Sequence, residues 1–72
     1  MEFDYRVLKM YRNSLNYTQK EVAEAVGVNS RTYQKWEHGT TQPDGYYLLR
    51  LMNWLDISNI YETIKFDIPE GE

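Results

Sequence analysis

The pattern of apolar and polar positions predicts two short helices, close together, in the middle of the chain. Apolar residues recur at helical spacing in the first of them, at Val22, Ala23 and Val26. In the second, Tyr33 and Trp36 are expected to face inward, whereas the residues around them are polar. The first helix therefore has a side of small apolar residues, and the second is a polar helix held by two aromatic rings.

Local capping signals predict where these two helices begin and end. Thr18 and Glu21 have the spacing of a capping box, so the first helix is expected to begin there. Gly27 is expected to end it, because glycine readily adopts the left-handed conformation of a helix C-terminus. Asn29 is a suitable N-cap for the second helix, and Gly39 ends it. Two such helices across a sharp glycine turn have the form of a helix-turn-helix.

One further helix is predicted before this motif. It covers residues 4–13, and its inward side is expected to carry Leu8, Tyr11 and Leu15. Residues 13–17 are mostly polar and indicate the connection to the next helix.

Two helices are predicted after the motif. Asp44 is expected to cap a fourth helix, and Ser58 a short fifth helix. Their buried residues are predicted to be Leu48, Leu51, Met52 and Leu55 in the fourth helix, and Ile57, Ile60, Tyr61 and Ile64 in the fifth. The pattern contains no convincing strand, although residues 66–69 alternate weakly. The predicted fold is therefore all-α with five helices, in one domain over residues 1–66 with a short tail at 67–72.

Composition excludes several classes of protein. A hydrophobic fraction of 42% in 72 residues is ample for one small globular core. The absence of cysteine excludes disulfides, thiolate zinc sites and a cysteine nucleophile. No apolar run approaches the length of a membrane span and no signal-peptide pattern opens the chain, so a soluble cytoplasmic protein without membrane contact is expected.

Catalytic chemistry finds little support in the sequence. The chain has a single histidine, and neither a cluster of metal ligands nor a glycine-rich phosphate loop after a strand. Glu21 and Glu24 lie on one helix turn, where a solvated helix face is a better interpretation than an acid/base pair. We therefore expect no enzyme, no catalytic residue, no metal and no cofactor.

The central stretch resembles the Cro/repressor-type helix-turn-helix family, also called XRE-type regulators. The matching positions are Thr18-Gln19, Glu21, Val22-Ala23, Val26-Gly27-Val28, Trp36-Glu37, Gly39 and Pro43. Leu55 to Ser58 also resembles the family's closing Leu-Gly-Val-Ser, with Asp56 in the place of glycine. The likeness extends roughly over residues 8–64, and the stretch at 36–45 is similar to an antitoxin-like branch of the family.

This resemblance implies a five-helix repressor-like domain that places the second helix of the motif in the major groove of double-stranded DNA. The positions implied to contact DNA are Gln19, Ser30, Arg31, Gln34, Lys35, His38, Thr40 and Thr41. Arg31 is the most informative of them, because a guanidinium can bind guanine through two hydrogen bonds. Gln19 and the loop at 40–42 are implied to meet phosphates, although this loop lacks the family's usual lysine or arginine. The alternative for each position is an ordinary exposed polar side chain.

Net charge leaves two functions open. A charge of −3 is unusual for a protein that neutralises phosphates, but the acids are concentrated in residues 44–72, with six acids against two bases. These acids either face away from DNA or simply solvate the protein. A sequence-specific transcriptional repressor is the preferred interpretation. The alternative is a helix-turn-helix interaction module or antitoxin whose main partner is a protein, such as a toxin.

Two further expectations concern an ion pair and a surface for dimer formation. The resemblance implies that Arg12, seven residues before Gln19, bridges to Glu37. Glu37 lies at the end of the second helix of the motif, the recognition helix that is expected to enter the major groove. The C-terminal half also has more apolar residues than one small core needs: Tyr46, Tyr47, Trp54, Phe66 and Ile68. This surplus favours a homodimer, with two recognition helices about 34 Å apart on DNA, over a tail that folds back on its own chain.

Overall fold

The computed structural model describes residues 2–65, which form four α-helices, one short 3₁₀ helix and a pair of short strands. In chain order these are β1 (Glu2–Phe3), α1 (Arg6–Ser14), α2 (Gln19–Val26), α3 (Ser30–His38), α4 (Gly45–Trp54), the 3₁₀ helix (Ile60–Thr63) and β2 (Ile64–Lys65). The domain is mainly helical, as expected, and α2 and α3 are the two helices of the predicted motif. None of the described helices combines the length and apolarity that crossing a membrane would need.

Side-chain caps define the motif in the way the sequence predicts. The Thr18 hydroxyl accepts the Glu21 N–H at 3.0 Å, and the Glu21 carboxylate accepts the Thr18 N–H at 2.8 Å, so the capping box is confirmed. Gly27 ends α2 in the left-handed region, with φ of 90°. The Asn29 side chain then accepts the Thr32 N–H at 2.8 Å and begins α3. These local hydrogen bonds fix both ends of the turn.

The core lies between all four helices. Its buried apolar members are Val7, Leu8, Val22, Ala23, Val26, Tyr33, Trp36, Leu51, Leu55 and Ile57. Each fully buried leucine of this set stabilises the fold by roughly 1.5–3 kcal/mol relative to an exposed one. Tyr47 packs against this core and contacts Trp36, with ring centroids 5.7 Å apart. It therefore belongs to the core and not to an apolar surplus.

The first helix begins later than predicted. It starts at Arg6, after the extended strand β1 and the N-cap Tyr5, and the Asp4 carboxylate accepts the Arg6 N–H at 3.2 Å. Leu8 is buried as expected, but the inward placement of Leu15 is wrong, since it remains 40% exposed. The physical reason is that Leu15 lies beyond the last helical residue, where Asn16 turns the chain with φ of 60°.

The predicted fifth α-helix is not formed. The segment is a single 3₁₀ turn, and its cap is Asn59 and not Ser58, because the Asn59 side chain accepts the Tyr61 N–H at 2.9 Å. Ile60 and Tyr61 were expected to face inward, but they are 43% and 65% exposed. The four-residue segment is too short to build an inward side of its own.

Strand pairing explains why this segment stops being helical. Phe3 pairs with Ile64 in an antiparallel register, and the Asp4 N–H donates to the Thr63 carbonyl at 2.7 Å. Thr63 is fully buried, and its hydroxyl donates to the Ile60 carbonyl at 2.6 Å. The pairing draws the chain into an extended conformation, so the expectation of no strand is wrong for these few residues.

The weak alternation at 66–69, the tail at 67–72 and the apolar residues Phe66 and Ile68 lie outside the described residues. The domain boundary at residue 66 stays a prediction.

Candidate nucleic-acid interface

Helix α3 presents one exposed polar face and one buried face. Arg31, Gln34, Lys35 and His38 are all exposed, and their spacing of three and four residues places them within about 100° of arc on a helix. Ser30 is half-buried at the margin of this face. The structure therefore brings five of the predicted contact positions together on one helix, which we call the α3 face.

Aromatic packing holds the other side of α3. Tyr33 and Trp36 are buried, and their rings meet edge to face with centroids 6.2 Å apart. The Trp36 ring also contacts Tyr47 of α4. Because both side chains are inside the core, they do not offer a stacking surface for bases. Their role is to orient the α3 face outward.

An ion pair fastens the C-terminal half of α3 to α1. Arg12 donates to the two carboxylate oxygens of Glu37, from Nε at 2.6 Å and from Nη2 at 3.1 Å. Its Nη1 donates to the Tyr17 carbonyl at 2.9 Å, in the connection between α1 and α2. The two side chains are only 11% and 3% exposed. The expected bridge is thus confirmed, and it joins three segments of the chain.

The environment of this pair shifts both pKa values in the direction that keeps it charged. Burial alone would raise the pKa of Glu37, but the hydrogen bonds from Arg12 and Gln19, together with the nearby Tyr33 hydroxyl, outweigh it and lower that pKa. The hydrogen bond to Glu37 raises the pKa of Arg12, against the opposing effect of burial. Glu37 is the only acidic residue of α3, so its burial and pairing leave Arg31 and Lys35 as the charged groups of the α3 face.

The Tyr33 hydroxyl is a buried polar group that sequence analysis did not single out. Among the described residues it is the buried side-chain atom without a hydrogen bond of standard geometry. Burial and the neighbouring Glu37 carboxylate both raise the pKa of Tyr33 strongly, so the phenol stays neutral. The Tyr33 hydroxyl is recognised by its closeness to the ion pair of Arg12 and Glu37. Because the fold creates this closeness, the sequence does not reveal it.

Gln19 is placed differently from the other predicted contacts. It is half-buried at the start of α2, and its side-chain amide donates to Glu37 at 3.2 Å. This hydrogen bond directs the amide toward the ion pair. The phosphate contact predicted for Gln19 stays a prediction, and in this conformation the side chain helps to hold Glu37.

The loop after α3 begins with a constrained glycine. Gly39 has φ of 77°, and a Cβ built on it would lie 2.8 Å from the Tyr5 ring, so no other residue fits there without a shift. The Thr40 N–H donates to the Lys35 carbonyl at 3.0 Å. Thr40 and Thr41 are both exposed, next to the end of the α3 face. Their hydroxyls are open to solvent, and the phosphate contacts predicted for them stay a prediction.

Arg50 is a further residue that sequence analysis missed. It lies on α4, yet its guanidinium donates to two carbonyls at the end of α2, on Ala25 and Val26. The signal that could have found it is that α2 has no basic residue in its last turn. A helix C-terminus favours a nearby cation, so a basic residue from another segment was to be expected.

The chain is similar to known helix-turn-helix proteins in both sequence and structure. A family model described as helix-turn-helix matches residues 8–58. The SPbeta prophage-derived uncharacterized HTH-type transcriptional regulator YonR of Bacillus subtilis (strain 168) is 37% identical, over 88% of this chain and 62% of its own length. The crystal structure of the P22 c2 repressor protein in complex with a synthetic operator superposes with a TM-score of 0.76, at 28% identity, over 85% of this chain and 92% of that one.

The likeness to enzymes covers only a small part of each enzyme's length, 9% in one Type II methyltransferase and 14% in two others. The Type II methyltransferase M.MspI of Moraxella sp is 42% identical over 36 residues, which is 50% of this chain but 9% of the enzyme. The chain thus spans less than two thirds of the length of these two curated relatives, 62% of the regulator and 9% of the methyltransferase.

Proposed function

Because the chain belongs to the helix-turn-helix family, we propose that it is a transcriptional regulator that binds double-stranded DNA and reads its sequence with the α3 face in the major groove. The observation that carries this proposal is the charge of that face. Its two cations, Arg31 and Lys35, are exposed, whereas the one acid of the helix is buried and paired. A chain with a net charge of −3 therefore still presents a positive helix to DNA.

Each residue of the α3 face has a proposed contact. Arg31, near the N-terminus of α3, binds guanine O6 and N7, and Gln34 binds adenine or a neighbouring base. Lys35, one turn later, reaches a base or a phosphate, and His38 contacts the backbone. Ser30 donates to a base edge or phosphate at the margin.

Phosphate contacts flank this helix in the proposed complex. Thr40 and Thr41 are exposed hydroxyl donors at the end of the α3 face, and the N-terminus of α2 at Gln19 offers backbone N–H groups to an anion. Because these contacts add no further ion pairs, we expect affinity to rest on fewer phosphate neutralisations than in a strongly basic regulator. We infer repression as the outcome, by occupation of a promoter site.

A homodimer is the proposed binding unit. The outer side of α4 exposes Tyr46, Leu49 and Trp54 by 62%, 64% and 45%, which is a large apolar surface for a ten-residue helix. An isologous pair formed there would present two α3 faces to two half-sites. Sedimentation over a wide concentration range tests it. The wild type should sediment as a dimer, and the Leu49→Asp variant should sediment as a monomer. A wild type that stays monomeric with and without DNA contradicts the dimer.

Selection from a randomised duplex pool tests the DNA-binding proposal. The wild type should enrich one motif, and its binding should weaken steeply as salt rises. A chain that enriches no sequence and whose weak binding lacks that salt dependence would refute the proposal. That result would favour the alternative of an interaction module or antitoxin with a protein partner.

A further inference from the structure

The turn of the motif begins at the C-terminal end of α2, where a helix leaves its last four carbonyls without partners inside the helix. The first two of them are satisfied locally. The Ala23 carbonyl accepts the N–H groups of Gly27 and Val28 at 3.0 and 2.9 Å, and the Glu24 carbonyl accepts the Gly27 N–H at 3.3 Å. This leaves the carbonyls of Ala25 and Val26, which lie immediately before the turn.

Arg50 of α4 binds both of these carbonyls. Its Nε donates to the Val26 carbonyl at 3.0 Å, and its Nη2 donates to the Ala25 carbonyl at 3.4 Å. The guanidinium also brings a positive charge to the negative end of the α2 dipole, where α2 has no basic residue of its own. Arg50 therefore completes the cap of α2 from a distant part of the chain.

A chain of aromatic contacts connects Arg50 to α3. Its Nη1 donates to the Tyr46 hydroxyl at 3.2 Å, and its Cζ lies 5.6 Å from the centroid of the Tyr46 ring. The Tyr46 ring meets Tyr47 edge to face at 5.1 Å, and Tyr47 in turn contacts Trp36 on the buried side of α3. The end of α2 and the buried side of α3 are thus both held from α4.

We propose that Arg50 is a positioning residue for DNA recognition. By binding the end of α2 while Tyr46 and Tyr47 support α3, it fixes the turn at 27–29 and so the direction of the α3 face. A change in the direction of the α3 face should weaken base contacts most, because these require donors and acceptors at defined positions on base edges. Phosphate contacts carry no sequence information, so losing some of them would weaken binding to all sequences alike. This inference rests on the proposed function, and the experiment below separates the two.

Arg50→Met removes the guanidinium and keeps a long apolar stem, and Tyr46→Phe removes only the hydroxyl that supports it. Arg6→Met is the matched control for the lost charge, because the Arg6 side chain is 68% exposed on α1 and pairs locally with Asp4. Dissociation constants are measured on the selected duplex and on a scrambled duplex, at several salt concentrations and well below the unfolding temperature of each variant. Hydrogen exchange at the turn amides is measured in parallel.

Arg50→Met should lower affinity for the selected duplex by about tenfold, with a smaller loss on the scrambled one and an unchanged salt slope. Exchange at the Gly27 and Val28 amides should become faster. Tyr46→Phe should change both quantities in the same direction but less, and Arg50→Lys, which keeps the charge on a single donor nitrogen, should recover part of the loss. Arg6→Met should affect the two duplexes alike.

Three results would overturn the inference. Unchanged affinity of Arg50→Met with a lower unfolding temperature would mean that Arg50 acts on stability alone. A salt slope reduced by about one, with equal losses on both duplexes, would mean that Arg50 itself contacts a phosphate. If Arg50→Met does not fold, unchanged affinity and exchange in Tyr46→Phe and Arg50→Lys would count against the role. A wild type that selects no motif would instead refute the proposed function, and with it any role of Arg50 in recognition.

Discussion

The change Glu37→Gln tests how much the buried ion pair stabilises the domain. Glutamine has nearly the shape of glutamate but lacks its charge, so packing is kept while the interactions change. The carboxylate accepts two hydrogen bonds from Arg12 and one from Gln19, at 2.6, 3.1 and 3.2 Å. After the change, the Arg12 guanidinium is left in a site where its side chain is only 11% exposed. The variant therefore loses the pair and also retains an unpaired charge.

The free energy of unfolding should fall by about 3 kcal/mol. A hydrogen bond to a charged group contributes about 1.5–3 kcal/mol, and removal of one partner of a buried pair costs about 3–5 kcal/mol. The lower end applies because glutamine keeps one accepting oxygen and Arg12 keeps its bond to the Tyr17 carbonyl. A domain of this length has a total stability of about 4–11 kcal/mol, so the variant loses a large part of it. For a domain of this size, a loss of about 3 kcal/mol should lower the unfolding temperature by about 12–24 °C.

Urea unfolding of a double-mutant cycle with Arg12→Met measures the pairing itself. The double variant has no buried charge, so its loss should be smaller than the sum of the single losses by about 2 kcal/mol. The pair of Asp4 and Arg6, in which the Arg6 side chain is 68% exposed, serves as the control, and the cycle of Asp4→Asn with Arg6→Met should couple by less than about 1 kcal/mol. Additive losses in the Glu37 cycle would contradict the reasoning.

The pH dependence provides a second check on the same variant. The pKa of Glu37 in the folded protein lies below its ordinary value of 4.5. Its contribution is therefore present above about pH 4.5 and is lost as the pH falls through the lower, folded-state pKa. The stability difference between wild type and Glu37→Gln should be constant near neutrality and shrink in acid. A difference that is the same at every pH would mean that the charge of Glu37 is not what stabilises the fold.

Three other changes test separate features. Arg31→Ala should weaken binding to the selected duplex by about 1–3 kcal/mol and relax preference at one base pair, whereas Lys20→Ala should affect all duplexes alike; an unchanged selected motif would make Arg31 an ordinary surface charge. Tyr33→Phe should leave the free energy of unfolding within about 0.5 kcal/mol of wild type, because the hydroxyl has no standard hydrogen bond, and a loss above about 1.5 kcal/mol in urea would reveal a partner. Asp56→Gly should raise the unfolding temperature, because Asp56 has φ of 57° and glycine adopts the left-handed region without a Cβ clash; Asn16→Gly, at φ of 60°, is the parallel case, and no gain in either would mean that local hydrogen bonds of the aspartate and asparagine side chains offset the strain.

The sequence predicted best those features that depend on neighbouring residues. The caps at Thr18, Asn29 and Asp44 need a side chain and an N–H only three residues apart, and all three are formed. The exposed side of α3 also follows from spacing along one helix. Such features are visible in the sequence because a few consecutive residues contain both partners of each contact.

Features that join distant segments were predicted poorly or only through the family resemblance. The pairing of Phe3 with Ile64 replaced a predicted fifth helix, and nothing local signals it. The Arg12–Glu37 pair was implied by the resemblance and not by the pattern of residues. Arg50 was missed because the lack of a basic residue in the last turn of α2 indicates only that a cation is needed there, and does not indicate which distant residue supplies it. In the candidate site, the hydrogen bond from Gln19 to Glu37 was also unforeseen, because the two residues are 18 positions apart in the sequence.

The paired strands also bear on the order of events in folding. They join Phe3 to Ile64 across nearly the whole described chain, so closing this contact early would restrict a long and still flexible loop. The helical body, whose contacts span shorter separations, is expected to assemble first and to bring the two ends together. With two residues in each strand, the pairing should then open and close many times for each global unfolding event. The ends of the domain can thus part while the helix-turn-helix stays folded.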